Sequence, residues 1–143
     1  MGFNTNGAGS MHIDTLPSEL ETLGEGAFIA NKGLSINKLP KKLEAIPNGC
    51  FKWCPNIYIT EFGSDDSILN SIGKQAFDGS ATNTGLSSLY IHKNIKTIDT
   101  NAFYNYGEIT DIYVHDTNAD LWNSENIIKI FGKQVNVSQL DNI

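Results

Sequence analysis

Residues 39–51 read Leu39-Pro40-Lys41-Lys42-Leu43-Glu44-Ala45-Ile46-Pro47-Asn48-Gly49-Cys50-Phe51, and residues 16–28 read Leu16-Pro17-Ser18-Glu19-Leu20-Glu21-Thr22-Leu23-Gly24-Glu25-Gly26-Ala27-Phe28. Laid over each other, 16 on 39, the two stretches agree at Leu-Pro, at Leu20/Leu43, at Leu23/Ile46 and at a small residue followed by Phe. Self-similarity at a fixed period is the mark of a stacked-repeat chain. The small-Phe pair recurs as Ala27-Phe28, Cys50-Phe51, Ala76-Phe77 and Ala102-Phe103. Upstream of each pair lies a second apolar anchor, at Met11/Ile13/Leu16, Leu34/Ile36/Leu39, Ile57/Ile59/Phe62 and Leu86/Leu89/Ile91, with a fifth at Ile109/Ile112/Val114. Each repeat is therefore expected to run as a short strand, a turn, a second apolar pair (Leu20/Leu23, Leu43/Ile46, Leu69/Ile72, Ile95/Ile98), and a 3₁₀ or helical turn that carries the Phe.

The anchors start at 11, 34, 57, 86 and 109, so one interval is longer than the rest. The extra residues fall in two polar stretches, Gly63–Ser67 and Gly79–Gly85, where a repeat accepts insertions without disturbing its core. A lone repeat of this length buries too few apolar side chains to offset the entropy of ordering its backbone, so repeats must stack and share a core. The predicted fold is an α/β repeat solenoid, with parallel strands on one face and 3₁₀ or short helical turns on the other. Phe28, Phe51, Phe77 and Phe103 are its structural anchors. Residues 1–10 are read as a flexible leader or irregular N-cap, 11–115 as four full repeats and a fifth strand, and 116–143 as a C-terminal cap. In that cap Thr117-x-x-Asp120 has the form of a capping box opening a short helix. Ile127–Phe131 and Gln134–Val137 read as one or two terminal strands.

The pattern Leu-Pro-x-x-Leu-x-x-Ile-x-x-x-[Ala/Cys]-Phe resembles the BspA-like, or Treponema-type, leucine-rich repeat. It is carried by Leu16–Phe28 and Leu39–Phe51 and more loosely by Ile91–Phe103, while Phe62-Gly63 departs from it by lacking the Pro. Cys54 stands where that family often has a Cys after the Phe, and the segment after Ile112–Val114 is similar to its terminal cap. The resemblance covers about residues 11–131. It implies a non-catalytic protein-binding or adhesion module of a surface or secreted protein, or a structural or host-contacting accessory component of a phage particle.

Composition narrows the partners. The net charge is −6, and all ten cations are Lys. Without Arg there is no bidentate reading of phosphate or guanine, and an acidic surface repels a polyanion, so no nucleic-acid partner is expected. No apolar run approaches the ~20 residues of a membrane span, and no signal peptide is visible in the chain. The expected setting is the cell surface or extracellular space as part of a larger protein, or a virion. Cys50 and Cys54 fit neither a disulfide framework nor a Cys-x-x-Cys motif and read as core residues.

No catalytic constellation emerges. Gly73-Lys74 lacks the Ser/Thr and glycine run of a phosphate loop, and no nucleophile elbow is present. The candidate site is the outward ribbon of the strands, which alternates with the core-facing side chains. Its first lane is His12, Ser35, Tyr58, Ser87, Thr110; its second is Thr15, Lys38, Glu61, Tyr90, Tyr113. The expected binding residues are Tyr58, Tyr90, Tyr113, His12, Lys38 and Glu61, because Tyr offers large contact area at low entropy cost. A protein or glycan ligand is expected, with homo-oligomerisation left open and no cofactor. No metal is assigned, although His92 and His115 hold equivalent positions on consecutive rungs, where they would share an ion with Asp116. The acidic loop Ser64-Asp65-Asp66-Ser67 lacks the register of a calcium loop.

Overall fold

The computed structural model describes residues 2–3, 12–64, 66–115 and 119–140. Its elements in chain order are β1 Gly2–Phe3, β2 Thr22–Leu23, β3 Ala45–Ile46, β4 Glu61–Phe62, β5 Ser71–Ile72, β6 Ser88–Ile91, β7 Thr97–Ile98 and β8 Asp111–Val114, followed by α1 Ala119–Trp122, α2 Ser124–Phe131 and β9 Asn136–Gln139. Every strand pair is parallel. The larger sheet has the order β4-β6-β8-β9, a second has the order β3-β5-β7, and β1 pairs with β2. This is a short repeat stack whose successive strands come from successive repeats.

The second sheet refines the sequence expectation. The second member of each apolar pair lies in a strand two residues long, with one exposed or half-buried and one buried residue. Ile46, Ile72 and Ile98 point into the core from it, and Leu23 does so from β2. Two residues are too few to show the alternation by which a strand is recognised.

The Phe-bearing segments are chains of tight turns with i→i+3 bonds such as Ala27 N–H to Gly24 O and Ile29 N–H to Gly26 O. Alternate amides instead reach the next rung: Phe28 to Cys50 O, Phe51 to Ala76 O and Phe77 to Ala102 O. Two residues in each turn adopt a left-handed backbone, Gly26, Gly49, Gln75 and Asn101 before the Phe, and Ala30, Trp53, Gly79 and Asn105 after it. This alternation turns successive amides outward along the stack instead of into a helix. Both the strand side and the turn side thus bond rung to rung.

Inside, the phenylalanines form a ladder. Ring centroids of Phe28–Phe51, Phe51–Phe77, Phe77–Phe103 and Phe103–Phe131 are 5.4, 5.2, 5.4 and 5.5 Å apart, and the planes are tilted by at most 18°. Phe131 corrects the expectation for the cap. Ile127–Phe131 is not a strand but part of α2, started by the Asn123 side chain accepting from the Asn126 N–H and ended by Gly132 in the left-handed region. The last turn of α2 then substitutes for a repeat: Phe103 N–H donates to Ile130 O as Phe77 N–H donates to Ala102 O. The amphipathic spacing Ile127, Ile130, Phe131 is what a helix needs to bury one side. β9 completes the cap on the sheet side, beside β8. Thr117 and Asp116 lie outside the described residues, as do Met11, Asp65 and all of the expected leader except Gly2–Phe3, whose backbone runs beside β2.

Tyr106 is fully buried between the turns and the sheet. Its hydroxyl donates to Ile59 O at 2.7 Å and accepts the Ile59 N–H at 3.1 Å. Ser80, also buried, donates to Phe51 O and accepts the Cys54 N–H. Each side chain thus satisfies one buried backbone N–H and one C=O, those of Ile59 for Tyr106 and those of Cys54 and Phe51 for Ser80.

Candidate functional site

The outward face of the larger sheet is built by alternation. In β6 and β8, Leu89, Ile91, Ile112 and Val114 are buried, while Ser88, Tyr90, Asp111 and Tyr113 face out and are half-buried. The register pairs Glu61 with Tyr90, Tyr90 with Tyr113, and Tyr113 with Ser138. The second lane of the sequence reading is therefore continuous over Glu61, Tyr90 and Tyr113, and it gains Ser138, which no repeat pattern announced. Tyr90 and Tyr113 stack with centroids 5.1 Å apart and planes at 17°. Lying directly opposite one another, the rings shield each other's inner faces and leave one broad aromatic surface.

The first lane is not straight. Ile13 bridges Leu34, not Ile36, and the Tyr58 N–H donates to Ile36 O, which sets Tyr58 beside Asn37 instead of Ser35. The backbone register at these rungs is offset by two residues from the repeat. A slip of two preserves which side chains face outward, because strand side chains alternate with period two. His12, Ser35, Tyr58 and Lys38 are accordingly exposed, but displaced sideways from the positions that the repeat assigns. Tyr58 is 45% exposed. His12 makes a 2.7 Å contact with Asp14 and lies far along the chain's stack from the tyrosine pair.

At the C-terminal end of the strands a polar chain crosses three rungs. His92 Nε2 lies 3.1 Å from Glu61 Oε1, and His92 Nδ1 lies 3.3 Å from His115 Nε2. The sequence placed the two histidines as neighbours; it did not link Glu61 to them, because Glu61 sits a rung earlier and two residues before the position opposite His92. A depression of about 380 Å³ opens here, with His92, His115, Lys96, Asp120 and Trp122 among its walls. Among the described residues no group of three His, Cys, Asp or Glu gathers in a metal-binding arrangement.

The buried thiols have no place in this site. Burial pushes the Cys54 thiol up to about 11 and raises that of Cys50 further, aided by the neighbouring Cys54. Cys54 Sγ is 2.9 Å from Phe28 O, so the thiol acts as a donor inside the stack. The surface ion pairs Lys41–Asp66 and Lys42–Glu19 bridge neighbouring rungs, and Lys41 holds the Asp66 carboxyl below its ordinary range.

Fold and face together define a leucine-rich-repeat stack, a scaffold that presents an ordered strand surface. The comparison with protein families agrees in kind: six copies of the BspA type leucine rich repeat region match residues 7–126. The chain belongs to the BspA-type leucine-rich-repeat family. Comparison with curated proteins and with solved structures returned no match. None of the helices among the described residues is long and apolar enough to cross a membrane.

Proposed function

We propose that this chain is a non-catalytic protein-binding module that holds its partner on the outward face of the β4-β6-β8-β9 sheet, with the Tyr90–Tyr113 pair at the centre. The observation that carries the reading is the stacking of these two half-buried rings on adjacent, register-locked strands. Aromatic side chains held rigid before binding lose little entropy on contact, which is why they dominate the energetics of recognition surfaces. Tyr58 adds an exposed ring, and Lys38 and Glu61 supply charges of both signs at the rim. A folded protein or peptide surface fits this mixture; a glycan stacking on the same rings is the second ligand class. Adhesion from a cell surface and host contact from a phage particle are two settings for the same face, and neighbouring genes separate them.

The test is binding of the immobilised chain to a panel of matrix proteins and glycans. It compares the wild type with Tyr90→Ala/Tyr113→Ala and with Trp53→Ala, whose exposed ring lies on the turn side. The reading expects the tyrosine variant to lose at least tenfold in affinity for whichever member binds, and Trp53→Ala to lose none. Equal binding by all three chains would sink it.

A further inference from the structure

We propose that His92 and His115 bind a single divalent transition-metal ion at the C-terminal end of the two central strands of the larger sheet, with Glu61 orienting His92. The two residues directly follow β6 and β8, whose last pair, Ile91 opposite Val114, fixes their spacing. The rings are thus one strand apart, with centroids 5.3 Å from each other. His92 Nδ1 faces His115 Nε2 at 3.3 Å. Two imidazole nitrogens, each about 2.0–2.1 Å from one tetrahedral ion, stand about 3.3–3.4 Å apart. The observed separation is therefore one edge of such a coordination shell.

A hydrogen bond between the two rings would have the same length. The other side of His92 equips it as a ligand. Its Nε2 lies 3.1 Å from Glu61 Oε1; with the Nε2–H donated to that carboxylate, Nδ1 carries the lone pair available to an ion. A ligating histidine that donates its distal N–H to a carboxylate is the usual arrangement around protein-bound metals. The His92 side chain is only 16% exposed, so the ring is already oriented before an ion arrives. The depression of about 380 Å³ beside both rings has room for the water that would complete the shell. Since no group of three His, Cys, Asp or Glu among the described residues is arranged to hold a metal, the remaining positions fall to water or to a donor on a partner. Two neutral imidazoles select copper, nickel or zinc over calcium or magnesium.

The chain contains only three histidines, and His12, on the first rung with Asp14, is an internal control. The experiment titrates the full chain with zinc chloride and, separately, with nickel chloride, following the three histidine ring signals by NMR and the heat by calorimetry. The expected result is one equivalent bound, with the His92 and His115 signals moving or broadening together while that of His12 does not. His92→Gln and His115→Gln should each abolish that site, and Glu61→Gln should weaken it about 10–100-fold. Thermal melts of the variants show whether each is folded, and the ring signals of the unchanged chain answer the question without any variant. The proposal is overturned if no heat or shift appears, if His12 responds equally, or if either histidine variant binds as the wild type does. It stands or falls independently of the tyrosine face, since its readout needs no protein partner.

Discussion

Phe77→Ala removes the ring on which the whole ladder is centred. Phe77 is 0% exposed and touches Phe51 and Phe103 along the stack at 5.2 and 5.4 Å, with Phe62 and Tyr106 at 5.4 and 5.0 Å from the sheet side. Replacing a buried Phe by Ala costs about 3–5 kcal/mol in lost transfer energy and cavity. Four ring neighbours, locked by backbone bonds to the rungs on either side, leave little freedom to collapse into the gap, so the upper end, about 4–5 kcal/mol, applies. That is a large part of the ~5–15 kcal/mol that holds a small domain folded. The assay is urea unfolding followed by tryptophan fluorescence, because the only two tryptophans, Trp53 and Trp122, flank Phe77 in the stack. Single-tryptophan chains, Trp53→Phe or Trp122→Phe, report the two halves separately. In a repeat stack stability is a sum of nearest-neighbour interfaces, so the gap at Phe77 should pull apart two transitions that coincide in its presence. A loss below about 1.5 kcal/mol would refute the ladder as the core of the fold.

Two further outcomes rest on buried polar groups. Tyr106→Phe keeps the ring but strands the Ile59 N–H and C=O, and should lower the urea-derived stability by about 1–3 kcal/mol; an unchanged midpoint would mean that water replaces the hydroxyl. The buried thiols link stability to alkaline pH. Folding holds the Cys54 thiol protonated to about 11 against an ordinary 9.0, so its contribution is full below pH 9 and is lost as pH rises toward 11. The loss should reach roughly 2–3 kcal/mol from Cys54 alone, with Cys50 adding to it, and a urea midpoint that is flat from pH 8 to 10.5 would contradict burial of both thiols.

Much of the site could be read from spacing. The outward positions of Tyr58, Tyr90 and Tyr113 follow from strand alternation, and the meeting of Tyr90 with Tyr113 follows from the repeat, since the structure pairs them at the same interval that separates Leu89 from Ile112. The first rungs were less legible. There the backbone register departs by two residues from the repeat, a shift that leaves the inside–outside pattern of the apolar residues intact and so leaves no trace in it. Glu61 was placed on the face but not beside His92, because the distance between side chains on different rungs depends on how the strands are offset sideways. Tyr106, outside any repeated position, was not singled out at all.

The sequence alone determined that the chain is a repeat stack, where each rung begins, and which repeated residues fill its centre. A period repeated several times over leaves one consistent assignment of inside and outside. Tertiary structure alone decided three things: that the second residue of each later apolar pair lies in a short strand, that α2 supplies the last ring of the ladder, and that Glu61, His92 and His115 meet. Each depends on hydrogen bonds and contacts between rungs more than twenty residues apart. A two-residue strand or a helix turn standing in for a repeat carries no period of its own, and takes its form from the neighbouring rung against which it packs.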